Sequence, residues 1–146
     1  MAACIEHVIT PADCAALDMR FEKPFRFRGR LFPSAENAYQ SSKFSDRKTI
    51  DQFQYIRPDT AAYCGAVRPP TIPDWDHTKI TILSEVLDAK FSDPVLRENL
   101  KQTGTAPIIL INFRHENDLG TCACRKCRMR GKNIAGQILE QLREKL

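Results

Sequence analysis

Apolar residues recur along the chain with two periods, and these predict its elements. Phe25-Arg26-Phe27-Arg28 alternates, so residues 25–28 read as a short edge strand, which a turn at Gly29-Arg30 would lead into Leu31 and Phe32. Pro33-Ser34 then opens a helix to about residue 44, with Ser34 as its N-cap. Residues 46–57 are weakly helical, and Asp59 or Thr60 is placed to cap a short helix reaching Ala66. Three prolines make 68–73 a loop. Residues 74–91 carry Ile80, Leu83, Leu87 and Phe91 at spacings of three and four, the stripe of an amphipathic helix. Asp93-Pro94 opens the next helix and Gly104 stops it. Residues 106–113 hold a β-branched run, Ile108 to Ile111, too short for a helix and expected as a buried strand. A polar loop spans 114–132, and Asn133 is placed to cap a last helix that buries Ile138 and Leu142. Residues 1–33 are otherwise irregular, punctuated by Pro11, Pro24, Gly29 and Pro33. There is no internal repeat.

The pattern describes an α+β chain, mainly α-helical, and 146 residues suit a single domain. Hydrophobic residues at 42% and charged residues at 27% are ordinary for a globular protein and exclude a disordered chain. No apolar run approaches the roughly 20 residues of a membrane span. The N-terminus lacks the basic start and apolar stretch of a signal peptide, so a cytoplasmic location is expected. The net charge of +4 is uneven: residues 113–146 carry eight basic and four acidic residues, and the rest balances. Arg125, Lys126, Arg128, Arg130 and Lys132 crowd one loop, a surface suited to a phosphate-bearing partner.

Four constellations bear chemistry. Glu36, Gln40 and Lys43 share one helix face, with Tyr39 beside them. Trp75 and Lys79 stand one turn apart, where an indole can stack on a base and an ammonium can sit near phosphate. Asn112, His115, Glu116 and Asp118 follow the apolar strand in the long loop, and carboxyl groups there are candidates for general acid–base work. Cys122, Cys124 and Cys127 form a C-x-C-x-x-C run. Such a run suits a structural zinc, which takes four ligands, with His115 or Cys64 as the fourth. Without metal, three cysteines among basic residues are expected to be reactive thiols of depressed pKa.

Together these segments resemble the NADAR (NAD- and ADP-ribose-associated, or YbiA-like) family. The family's G-x-x-(F/Y)-P-S-x-E-x-A-(Y/F)-Q-x-x-K run is matched from Gly29 through Phe32, Pro33, Ser34, Glu36, Ala38, Tyr39 and Gln40 to Lys43. Its W-x-x-x-K is Trp75 and Lys79, ahead of Ala89-Lys90-Phe91 and Thr103-Gly104. Its D-x-x-W-G loop ends at Gly120, followed by Gly131-Lys132-Asn133-Ile134-Ala135-Gly136 and Arg143. Leu119 replaces the loop tryptophan, and Leu83 replaces a methionine.

The resemblance implies a mainly helical YbiA-like domain with a little β-structure. It also implies an enzyme that hydrolyses N-glycosidic bonds of ribose phosphates without a required cofactor. Its substrate would be an ADP-ribosylated guanine in nucleic acid or a phosphoribosylamino-pyrimidine intermediate of riboflavin synthesis. Carried over, the family's key residues are Glu36, Trp75 and a loop acid. Ungapped counting makes that acid Glu116, and matching local text makes it Asp118. Tyr39, Gln40, Lys43, Lys79, Asn112, His115, Asn133 and Arg143 would line the substrate. Two other classes stay open: a non-catalytic ADP-ribose or NAD-binding module, and a zinc-stabilised nucleic-acid-binding domain.

Overall fold

The structure is a computed structural model. It describes residues 15–110, 119–122, 124–128 and 130–146, and the backbone of 2–4. The chain is α+β and mainly helical. Its strands are β1 (Ala2–Cys4), β2 (Phe25–Phe27), β3 (Arg30–Phe32) and β4 (Ile108–Leu110). Its helices are α1 (Ala35–Ser41), α2 (Arg47–Gln52), α3 (Pro58–Val67), α4 (Trp75–Lys90), α5 (Pro94–Gln102) and α6 (Ile134–Glu144). The chain divides into two compact units, residues 19–90 and residues 1–18 with 91–146. No helix among the described residues is long and apolar enough to cross a membrane.

In the unit of residues 19–90, β2 and β3 form an antiparallel hairpin in which Phe25 pairs with Phe32 and Phe27 with Arg30. The turn is Arg28-Gly29, with φ of 51° and 82°, one residue earlier than the expected Gly29-Arg30, and Arg30 already belongs to β3. Positive φ at both positions suits the strand twist. The alternation turns Phe25 and Phe27 inward, and Phe32 across the hairpin is buried with them. Ser34 caps α1, accepting from the Asn37 amide and donating to Asn37 Oδ1. Asn37 is fully buried, and its Nδ2 donates to the carbonyls of Phe53 and Ile56, both at 2.9 Å. That ties α1 to the chain leaving α2.

Several local expectations are corrected here. Asp46 caps α2, accepting from the Thr49 amide at 2.9 Å. Neither Asp59 nor Thr60 caps α3; Arg57 holds the N-cap position with no side-chain bond, and Pro58 is the first helical residue. Proline suits that position because its missing N–H has no helical partner there. Along α4 the buried face is Trp75, Ile82, Leu83, Val86, Leu87 and Lys90, while Ile80 is 41% exposed. Leu83 and Leu87 of the predicted stripe are thus buried, Ile80 lies at its margin, and Ile82 and Val86 widen the buried face.

In the other unit, β4 pairs antiparallel with β1, Ala3 opposite Ile109. The irregular reading of residues 1–33 therefore missed a strand at 2–4. Asp93 caps α5 through the amides of Val95 and Leu96, and Gly104 with φ of 64° ends it. On α6, Ala135, Gly136 and Leu139 form the buried centre, with Ile138 and Leu142 half-buried. The end of the predicted strand and the first part of the loop, residues 111–118, lie outside the described residues.

Candidate active site

Five of the candidate residues come together in the unit of residues 19–90: Glu36, Tyr39 and Gln40 on α1, Lys43 in the turn after it, because the helix expected to reach about residue 44 ends at Ser41, and Trp75 in the first turn of α4. Glu36, Tyr39 and Gln40 are all buried despite two of them being strongly polar. The N-terminal amide of Glu36 donates to the Met19 carbonyl at 2.8 Å, so the first turn of α1 is anchored. One turn on, Gln40 Nε2 donates to Glu36 Oε1 at 2.8 Å. An amide N–H to a carboxylate is a charge-assisted bond and fixes the direction in which the acid points. Gln40 Oε1 is buried with no hydrogen-bond partner among the described residues.

The reason lies on α3. A β-carbon built on Gly65 would run into the Gln40 carboxamide. Only glycine lets the Gln40 side chain lie flat against this helix. Gly65 was missed in the sequence, although an isolated glycine inside a helical pattern is a usable signal for close approach. Asn37 was missed as well, because its partners are backbone carbonyls distant in sequence.

The same helix end engages Lys43. Its ammonium donates to the Gly65 carbonyl at 3.0 Å. That carbonyl belongs to the last turn of α3, where helical carbonyls lack intrahelical partners and the dipole favours a cation. Lys43 Nζ also stands 5.6 Å from the centre of the Trp75 ring. Trp75 packs against Tyr39 with ring centroids 5.3 Å apart at 52°, a tilted aromatic pair. Asp74, with φ of 55°, turns the chain into α4 just before this indole. The result is a buried carboxylate backed by a carboxamide, beside an aromatic wall with a lysine at its edge. Lys79 sits one turn further along α4, 3.9 Å from Asp76 and with a side chain 23% exposed. Two clefts elsewhere in this unit contain no carboxylate, one lined by Phe27, Phe44 and Ile72 and the other by Phe53, Tyr55 and Cys64.

Asn133 and Arg143 belong to the other unit and hold backbone there. Asn133 does not cap α6 by its side chain, as the sequence suggested; it adopts φ 52°, ψ 44°. Its Oδ1 accepts from the Leu110 amide at 3.0 Å and its Nδ2 donates to the Ile108 carbonyl at 2.7 Å. The carboxamide thus completes the edge of β4. A side chain on Gly136 would collide with the Ile108 carbonyl and with Asn133 itself, which explains the spacing of the two motif residues. Arg143 Nη1 donates to Thr103 Oγ1 at 2.7 Å and to the Ala106 carbonyl at 2.8 Å, clamping the α5–β4 connection. Asn112, His115, Glu116 and Asp118 lie outside the described residues.

Also in that unit, the sulfurs of Cys122, Cys124 and Cys127 lie within 4.8 Å of one another. The expected depression of their pKa does not hold for Cys127, whose thiol is pushed up to about 11. The hydrogen bond with Cys124 is the largest cause, followed by desolvation and by Cys122. The neighbouring sulfurs, rather than the basic side chains of the loop, set its ionisation.

A helical α+β chain with a buried Glu–Gln pair against an aromatic wall, and a Gly-x-Asn-x-x-Gly turn locked onto a strand, is a narrow class. The NADAR domain profile matches residues 10–146, and the chain belongs to that family. It is 33% identical over 128 residues to the protein named N-glycosidase YbiA of Escherichia coli strain K12, covering 84% of this chain and 76% of that protein. The N-glycosidases YbiA of Shigella boydii serotype 4 and Shigella sonnei match over the same shares at the same identity. The NMR structure of the E. coli protein YbiA superposes with a TM-score of 0.76 at 26% identity, over 89% of this chain and 76% of that one.

Proposed function

We propose that this protein is an N-glycosidase that hydrolyses the bond between ribose and a nitrogen base in a phosphate-bearing substrate. The observation that carries the reading is the buried Glu36 carboxylate, aimed by Gln40 beside the Tyr39–Trp75 pair. The names of the YbiA relatives support it.

In such a reaction the bond from C1 of ribose to nitrogen breaks, its electron pair leaves with the base, and a water oxygen takes its place. Positive charge develops on C1 and the ring oxygen. A carboxylate held in a poorly solvated site stabilises that charge more strongly than one in water. Glu36 fills this role, or takes the proton of the attacking water, and an acid of the 114–132 loop takes the other. The loop acid is Glu116, with Asp118 as its alternative. Trp75 walls the base. Lys43 and Lys79 supply positive charge for phosphate oxygens, and Arg125 to Lys132 add it at the loop. No cofactor enters these steps.

The test compares release from phosphoribosylamino-pyrimidine, NAD and DNA carrying ADP-ribosyl-guanine. Wild-type protein should release base or ribose phosphate from one of them, and Glu36→Gln should reduce turnover at least about 100-fold with the fold unchanged. Turnover by Glu36→Gln at the wild-type rate would overturn the mechanism. ADP-ribose binding without release from any substrate would favour a non-catalytic module.

A further inference from the structure

The cysteines of the 122–130 loop play no part in the glycosidase reading, yet the loop is built with care. The Cys122 amide donates to the Arg130 carbonyl at 3.4 Å and closes the base of the loop. The Thr121 amide, at 2.8 Å, and its hydroxyl, at 3.1 Å, both donate to the Leu110 carbonyl and fasten that base to β4. Within the loop the Arg128 amide donates to the Cys124 carbonyl at 2.9 Å, and the Arg130 amide to the Cys127 carbonyl at 3.0 Å. Arg128 turns through φ of 52° to make this possible. The Cys127 amide donates to Cys124 Sγ at 3.3 Å. An N–H aimed at sulfur fixes the direction in which that sulfur points.

From this geometry we propose that Cys122, Cys124 and Cys127 bind one zinc ion as a three-thiolate site, with the fourth tetrahedral position filled from outside the trio. Zinc bonds thiolates at about 2.3 Å, which places sulfurs about 3.8 Å apart in a tetrahedron. The three sulfurs already lie within 4.8 Å, so small χ1 rotations bring them into range. None of the three is in a disulfide, and Cys122 is buried, which shields the metal on one side. Three thiolates and one dication leave a single negative charge, in a loop that carries Arg125, Lys126, Arg128 and Arg130. Softness of the donors selects zinc over magnesium or calcium. The metal pins the loop that follows the family's acidic motif, and so acts structurally rather than in bond cleavage.

The test uses the full chain, reduced and then equilibrated with zinc chloride before removal of free metal. Mass spectrometry of the metal should find one zinc per chain. Cobalt in place of zinc should show a thiolate-to-metal charge-transfer band, a readout that needs no variant. Cys122→Ser, Cys124→Ser and Cys127→Ser should each weaken zinc binding by more than the about 10–100-fold cost of losing an outer-sphere partner. Zinc well below one per chain, a cobalt adduct with no charge-transfer band, or full retention by all three variants would overturn the site. So would a protein mass short by two hydrogens from a disulfide within the trio under the same reducing conditions.

Discussion

Gly65→Ala isolates the contact that aims the candidate catalytic acid. The backbone of α3 accepts alanine, and helix propensity alone favours the change by about 1 kcal/mol. Against this, the new methyl enters the space of the Gln40 carboxamide. Gln40 is the flexible partner, so it moves and releases Glu36. A hydrogen bond to a charged group contributes about 1.5–3 kcal/mol. The expected balance is a net loss of about 0.5–2 kcal/mol in urea unfolding. The sign should reverse in a Gln40→Ala background, where the methyl meets no side chain and only the gain of about 1 kcal/mol remains. The coupling between the two positions is then about 1.5–3 kcal/mol, well within reach of a double-mutant cycle. Turnover should fall in both single variants, because both leave Glu36 without its guide. Equal destabilisation by Gly65→Ala in both backgrounds would refute the reasoning, since the clash would then lie with something other than Gln40.

Two further predictions concern structure outside that contact. Asn133→Ala removes both bonds to β4 and strands the Leu110 amide and Ile108 carbonyl, for an expected loss of about 2–4 kcal/mol by chemical denaturation. Asn133→Gly should lose nearly as much, although glycine accepts the positive φ; full stability of the glycine variant would show that conformation, not bonding, is what asparagine supplies. The second is a pH effect at Asp46, whose pKa is lowered chiefly by the hydrogen bond from the Thr49 backbone amide. A folded-state pKa below the unfolded one gives stability that is fully present above the ordinary carboxylate value and lost as pH falls through the lowered one. The melting-temperature gap between wild type and Asp46→Ala should therefore be constant from about pH 5 to 7 and close in stronger acid. A gap that persists unchanged at low pH would remove the ionised cap as its cause.

Local chemistry wrote much of this fold into the sequence. Ser34 and Asp93 cap where their hydroxyl and carboxylate meet exposed helix amides. The hairpin was legible in the alternating phenylalanines, although its turn falls one residue earlier than expected, and the proline-rich 68–73 segment falls where a helix stops. The grouping of Glu36 and Gln40 on one face follows from helical periodicity, while Lys43 lies in the turn after α1, and motif order sufficed to point to the NADAR family. These depend on neighbours within about four residues, which a sequence states directly.

Tertiary structure decided the rest. Ile80 and Ile82 are equally apolar, yet only Ile82 is buried, because the choice of face belongs to the elements that pack on α4. Asn133 and Arg143 carry donors that suit a ligand. Both are spent on backbone groups and the Thr103 hydroxyl in and before β4, 23 to 40 residues away along the chain. The sequence by itself determined which residues can do chemistry and the order in which they stand. Whether each one faces a substrate, a sulfur or a strand edge was decided by contacts across long loops, where the partner of a polar group is set by folding and carries no mark in the local pattern.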